Sequence, residues 1–302
     1  MGGSHSLQHI RSALRRTGSW LCGESTGFPQ VLTGGAVELA SAITIRCAVS
    51  IHRLFSDAIP NQAGLELRIT GEEAHHAAKV KRIGAGQQVY VQDGAGTVAL
   101  CEVLSSEKVR GLIEVLVRIN SVQLVAQDVP EIHVYCAAPK ADRIAWLAEQ
   151  LSQVGSTCWT PLETEFSSQD GADLKLDRLR RIASESSKQC GRPWLMAINP
   201  PLALAAALTA TKANSLCAVL IGDSDGELPD QALARAAPEL TKIGEIAIFI
   251  GPEGGFSSRE TEQFAKLGAT RINLGRHILR IETAAVASVV AVRQELARRG
   301  VR

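Results

Sequence analysis

From residue 131 to the C-terminus, short apolar runs alternate with amphipathic stretches, and this rhythm constrains the fold more than any other feature of the chain. Runs at 132–137, 157–162, 216–221, 245–250 and 270–274 have the length and composition of strands. Stretches at 142–154, 176–189, 229–239, 258–267 and 283–298 have helical spacing. Strict alternation requires crossover connections, so the strands should lie parallel in an α/β sheet with helices on both faces. In such sheets a ligand sits where the carboxyl ends of the strands open into loops. The loops after Ile221, Ile250 and Leu274 are therefore where chemistry is expected.

The loop after Ile250 reads Gly251-Pro252-Glu253-Gly254-Gly255-Phe256. Its glycines admit backbone conformations closed to other residues and let a ligand touch the main chain. Ser257 and Glu260 follow at capping-box spacing, so a helix should start at once. The loop lacks the G-x-G-x-x-G fingerprint with its ribose-binding acid, which disfavours a nicotinamide-dependent enzyme, and it is not a phosphate-cradling P-loop. The last strand opens into Leu274-Gly275-Arg276-His277-Ile278-Leu279-Arg280-Ile281-Glu282. Ile278 and Leu279 suit the face of an adenine ring. Arg280 and Glu282 add polar function, as site groups or as an ion pair with each other.

The rest of the chain divides at about residues 50 and 125. Residues 1–50 are rich in Ser, Gly and Arg, with no acidic residue before Glu24. They read as an unstructured extension or a leader, because Arg11, Arg15 and Arg16 beside Leu7, Ile10 and Leu14 have the look of a transit peptide. Residues 51–125 are β-like: 88–91 and 97–103 flank a Gly-containing turn, a further strand covers 112–119, and a helix at 72–82 carries His75, His76, Lys79 and Arg82. A small β-barrel with one helix fits. Residues 126–302 hold the alternating part.

Composition narrows the class. No apolar run reaches the length of a membrane span. Seven scattered cysteines without a C-x-x-C pair argue for a reducing compartment, the cytoplasm or, if 1–50 is a transit peptide, an organelle, and against a metal site. The net charge is only +1, but residues 175–192 carry six basic and two acidic side chains, an excess suited to phosphate or simply to water.

Taken together, the G-P-E-G-G loop and the L-G-x-x-I-L-R-x-E-T-A segment resemble the cofactor-binding motifs of the SPOUT superfamily of knotted methyltransferases. The specific resemblance is to the RsmE-type family, which methylates N3 of a uridine in small-subunit (16S) ribosomal RNA. It covers residues 52–298, with support from His52-Arg53-Leu54-Phe55, Lys140-Ala141-Asp142-Arg143 and Gln189-Cys190-Gly191-Arg192. It implies a trefoil-knotted, mostly parallel sheet, an N-terminal PUA-like RNA-binding domain and a homodimer with active sites at the subunit interface. The small side chains Ala284, Ala285, Ala287, Ser288 and Ala291 would permit close approach of a partner helix.

S-adenosyl-L-methionine is the implied cofactor, held by Ile221, Gly222, Ile250, Gly251, Pro252, Glu253, Gly254, Gly255, Leu274, Gly275, Ile278 and Leu279. Arg280 would stabilise charge on the uracil oxygens, with Glu282 orienting it or a neighbouring helix. Arg53, Lys81, Arg82, Arg143 and Arg192 are the candidate RNA contacts. Departures from the family pattern stand at Gln150, Gln153, Phe166, Lys188 and Ile281, and bear on RNA specificity more than on the cofactor. A knotted methyltransferase acting on transfer RNA, and a non-catalytic RNA-binding assembly protein of the same fold, are the alternatives.

Overall fold

The computed structural model describes residues 51–140, 142–167 and 174–301. The expected leader, with Arg11, Arg15 and Arg16, lies outside the described residues, as does Ala141.

The first part builds a five-stranded sheet. Its strands are β1 (His52–Phe55), β2 (Glu66–Ile69), β3 (Gln88–Gln92), β4 (Thr97–Val109) and β5 (Leu112–Leu124), paired in the order β1-β3-β4-β5-β2. The expected hairpin is there, β3 against β4, with Asp93 Oδ1 accepting from the amides of Ala95 (2.7 Å) and Thr97 (2.9 Å) to fix the turn. β1 and β2 end the pairing path and do not pair with each other, so the barrel is not closed by backbone hydrogen bonds. The expected helix at 72–82 is shorter and irregular. Helix α1 (Gly71–His75) passes into a π-turn (His76–Val80), and the chain leaves through Arg82 at φ +53°. This sheet has its own core, with Leu54, Val89, Val91, Cys101, Val115 and Val117 among its residues.

The second part is the expected α/β layer. Its strands are β6 (Glu131–Ala137), β7 (Cys158–Glu163), β8 (Ala197–Ile198), β9 (Leu202–Ala203), β10 (Cys217–Glu227), β11 (Glu245–Ile250) and β12 (Thr270–Ile272). They pair in the order β12-β10-β11-β6-β7-β8, with β9 beside β7, and every pairing is parallel. Helices α2 (Asp142–Gln153), α3 (Leu176–Cys190), α5 (Pro229–Ala236) and α7 (Ile281–Arg298) pack against Ile132, Val134, Trp159, Ile246 and Ile248. Helices α4 (Leu204–Ala213) and α6 (Ser258–Leu267) cover the side of Tyr135, Phe249 and Phe264. Sequence reasoning missed α4. No helix among the described residues is long and apolar enough to cross a membrane.

At the amino ends of the strands the sheet buries a polar pair. Glu245 Oε1 lies 3.6 Å from His133 Nδ1, and Asn214 donates to Glu245 Oε2 at 3.1 Å. The His133 contact outweighs burial and holds the Glu245 carboxyl below its ordinary value of 4.5. A carboxyl with a lowered folded pKa stabilises fully above its unfolded value and loses that contribution as pH falls through the folded one. Glu245→Gln should therefore cost about 1 kcal/mol at neutral pH. Its melting temperature should converge on the wild type's as pH drops below about 4.5. Thermal melts across the acid range check this; a gap that stays constant contradicts it.

Candidate functional site

The three expected loops converge on one cavity of about 480 Å³ at the carboxyl ends of β10, β11 and β12. Ile221, Gly222, Ile250, Gly251, Pro252, Glu253, Gly255, Leu274, Gly275, Ile278, Leu279 and Arg280 all line it. Gly254 and Glu282 do not. Asp223, Ser224, Phe256, Thr261 and His277 are additional wall residues. Thr261 and Phe256 stood in or beside the motifs, whereas Asp223 and Ser224 belong to a polar run with no apolar signal of a strand.

That run is the extension of β10. Its pairing with β12 shifts between Gly222 and Glu227, so both residues oppose Ile272 and the chain arches around it. The approach is close enough that a Cβ at Gly226 would stand 2.8 Å from the backbone of Arg271 and Ile272. Asn273 fastens the arch, its amide donating to the Glu227 carbonyl at 2.7 Å and its side chain to the Ser224 carbonyl.

The second loop is held by its capping box. Ser257 Oγ accepts from the Glu260 amide at 3.3 Å, and Glu260 Oε2 accepts from the Ser257 amide at 2.8 Å. The other oxygen of Glu260 accepts from the amide of Glu165 at 2.9 Å, tying the segment after β7 to this loop. Of the loop's glycines, Gly255 has the left-handed φ of +73° that favours glycine. Gly254 faces away from the cavity; a Cβ there would meet Phe166 Cβ at 3.2 Å.

The third loop ends at Arg280, the N-cap of α7, whose carbonyl accepts the first helical bond from Ala284 at 2.8 Å. The Arg280 side chain is exposed and makes no ion pair among the described residues. Ile278 is 99% exposed at the cavity rim. Glu282, one residue into the helix, pairs not with Arg280 but with Arg143, whose Nη1 stands 3.2 Å from Glu282 Oε1. The carboxylate sits where the helix dipole favours an anion.

The structure also redistributes the five candidate RNA contacts. Arg143 is engaged by Glu282. Arg192 Nη1 donates to the carbonyls of Ser152 (3.1 Å) and Ser156 (2.5 Å), and burial pushes its guanidinium down from the ordinary value. Arg53 lies over the Tyr90 ring at 4.6 Å, and Lys81 donates to the Arg53 carbonyl at 3.0 Å. Burial lowers the Lys81 ammonium as well. Arg82 alone of the five points to solvent without such a partner. None of these internal engagements had a signal in the linear sequence, because the partners lie far away along the chain.

A family model described as an RNA methyltransferase domain matches residues 127–293, and one described as an RNA methyltransferase PUA domain matches residues 69–116. Ribosomal RNA small subunit methyltransferase E of Bacillus subtilis is 28% identical over 232 residues, 74% of this chain and 88% of its own length. Among solved structures, a Legionella pneumophila protein described as a methyltransferase with bound cofactor SAM superposes with a TM-score of 0.68 at 25% identity, over 83% of this chain and 98% of that one. Ribosomal RNA small subunit methyltransferase E of Neisseria gonorrhoeae shares the fold, with a TM-score of 0.69 at 22% identity over 81% of this chain and 97% of its own.

The ion pair beneath the third loop gives a direct stability test. The Glu282 side chain is 7% exposed, so Arg143→Met strands a carboxylate away from water. Since Arg143 itself is partly solvated, the loss should be about 2 kcal/mol, below the roughly 3–5 kcal/mol of a fully buried pair. Removing both charges in Arg143→Met with Glu282→Gln should recover much of it. Denaturant unfolding of the two singles and the double closes the cycle; additive losses would show that the two groups are not coupled.

Proposed function

The chain belongs to the RNA methyltransferase domain family, and from that premise we propose that it transfers a methyl group from S-adenosyl-L-methionine to N3 of a uridine in small-subunit (16S) ribosomal RNA. The observation that carries this reading is the single cavity built by three strand-terminal loops, with an uncommitted arginine at its rim.

The residues present fit the cofactor. Ile221, Ile250, Leu274 and Leu279 offer apolar walls for an adenine ring, and the main chain of 251–255 and Gly275 offers hydrogen-bonding groups at close approach. Asp223 and Glu253 bring negative charge to a cavity that would hold a sulfonium and an ammonium. When bound, S-adenosylmethionine supplies an electrophilic methyl group. The protein's part is to aim the uracil nitrogen along the axis of displacement and to exclude water.

As the proton leaves N3, negative charge spreads over the two flanking carbonyl oxygens. The Arg280 guanidinium, which makes no ion pair among the described residues, is the group at the rim able to stabilise it. Of the two parts expected of Glu282, its pairing with Arg143 favours the second: it holds the first turn of the neighbouring helix α7, and so the N-cap that carries Arg280. A uridine reaches such a site splayed from its stack.

A second copy of the chain is the proposed cover. An isoleucine 99% exposed at the cavity rim leaves an apolar surface there that a homodimer would close, and Trp146 of α2 is a further exposed apolar side chain. Ala285 and Ser288 are used inside the chain's own core, which leaves Ala284, Ala287 and Ala291 of the expected small-residue face half-buried. Passage of residues 273–280 beneath the arch of β10 would be the closing step of the trefoil knot. Among the described residues, Cys101, Cys136, Cys158, Cys190 and Cys217 are free thiols, which supports a reducing compartment such as the cytoplasm.

Two measurements test the reading. In single-turnover methylation of a 16S ribosomal RNA substrate, Arg280→Ala should slow transfer by about two orders of magnitude while calorimetric affinity for S-adenosylmethionine changes little. Arg280→Lys should rescue only partly, since a point charge does not reproduce the planar fork. Full activity in Arg280→Ala removes it from the site. Sedimentation of the wild-type chain at micromolar concentration should give a dimer; an active monomer would overturn the proposed cover.

A further inference from the structure

A second, larger concavity of about 1190 Å³ lies between the π-turn, the tip of the β4–β5 hairpin and helix α3, away from the cofactor cavity. Its size suits a stretch of polymer rather than a small molecule. Lys79 and Arg82 stand on the π-turn side, Lys108 on the hairpin and Arg181 on α3. All four are exposed, and none makes an ion pair among the described residues. Arg82 is held in the left-handed region at φ +53°, closed behind by the Ile83 amide donating to the Ala77 carbonyl at 3.1 Å. Side chains persist in that conformation only where their surroundings impose it, and such positions cluster at binding sites.

The same walls also carry Glu72, Glu73, Glu107 and Glu185, which by themselves would cancel the four cations. Lys188 breaks the balance. Its side chain is 3% exposed, so it is out of reach of any ligand in the concavity. Its Nζ stands 2.9 Å from Glu73 Oε2 and 2.5 Å from Glu185 Oε1, with the Phe55 ring 5.4 Å away. Its single positive charge, shared between two of the four wall carboxylates, tips the balance from behind and leaves the cleft with one net positive charge. Arg180 of α3 and Arg192 just beyond it do not contribute in this way, because Arg180 donates to the Ile198 carbonyl (2.9 and 3.1 Å) and Arg192 turns inward.

We propose that this cleft binds a phosphate-backbone segment of the substrate RNA, with Arg82 and Arg181 on facing walls and buried Lys188 setting the cleft's positive sign. The inference rests on the RNA methyltransferase reading and adds to it a binding site away from the methyl-transfer cavity. Lys188 is a positioning residue: it touches no RNA, and acts through Glu73 and Glu185.

Affinity for a 16S ribosomal RNA transcript, measured by filter binding over a salt series, tests it on the full chain. Arg82→Ala and Arg181→Ala should each weaken binding about tenfold at moderate salt and lower the log–log salt slope by about 1, as loss of one phosphate contact does. Calorimetric affinity for S-adenosylmethionine should not change. Lys188→Met should weaken RNA binding to a similar degree by removing the one charge that gives the cleft its net positive sign. Adding Glu73→Gln and Glu185→Gln to it should restore most of that loss, which a merely structural role for Lys188 would not allow. If the Arg82→Ala, Arg181→Ala double variant keeps wild-type affinity and slope while the wild type binds and methylates the same RNA, the cleft is overturned and the methyltransferase reading stands. A wild-type chain that binds no RNA overturns both.

Discussion

The site depends on one close passage of the backbone, where residues 222–227 arch around Ile272. Gly226 permits the contact, because any Cβ there would collide with the main chain of β12. Asn273 then converts contact into register by bonding to both ends of the arch. With β12 pinned in this way, the chain leaves the sheet at a fixed point, and the loop from Leu274 to Arg280 is delivered over the carboxyl ends of β10 and β11. Glu260 does the equivalent for the other side, its carboxylate accepting one hydrogen bond from its own cap and one from the segment after β7. A cavity so framed is largely preformed, which reduces the ordering cost that a ligand must meet.

A second constraint joins the two parts of the chain. Lys188 reaches from α3 to Glu73 of α1, while Gln92 of β3 donates to the Arg192 carbonyl at 3.2 Å and Trp194 donates to the Val125 carbonyl at 2.9 Å. The β-domain is thus docked on the end of α3 by polar contacts from several elements. Lys188 is one of the departures from the family pattern, yet the side chain is buried between two acids and over an aromatic ring, so its environment is satisfied rather than frustrated. Phe166 is a different case: it packs on Gly254 and remains half-exposed beside the loop.

How far the sequence can be read depends on whether the signal is local. β11 and α6 match their expected limits because an apolar run and a capping box are both written in consecutive residues. The three cavity loops follow from the same local signals together with the rule that parallel strands open at their carboxyl ends. The extension of β10 was not legible, since Gly-Asp-Ser-Asp-Gly-Glu has the composition of a turn and is held as a strand only by its neighbour β12. Helix α4 hid in an alanine-rich stretch, where apolar periodicity is faint. The direction in which an arginine points was least legible of all. Arg143 and Arg192 have the same local look as Arg82, and what separates them is a buried carboxylate 139 residues away in one case and two helix-end carbonyls in the other.

That separation of arginines shapes the chemistry. A guanidinium already bonded to carbonyls or a carboxylate has its donors and its field spent, and it serves as a structural strut. Arg143 and Arg192 are of this kind, and they set the ends of α7 and α2. Arg280 differs in having its backbone fixed as a helix cap and its side chain uncommitted, so its position is set without its charge being consumed. Stabilising charge that develops on a substrate requires both properties at once, since a mobile cation must be ordered at the moment of reaction and a paired one must first be released. The Arg143–Glu282 pair supplies the first property to Arg280. By taking Glu282 out of Arg280's reach, it also secures the second.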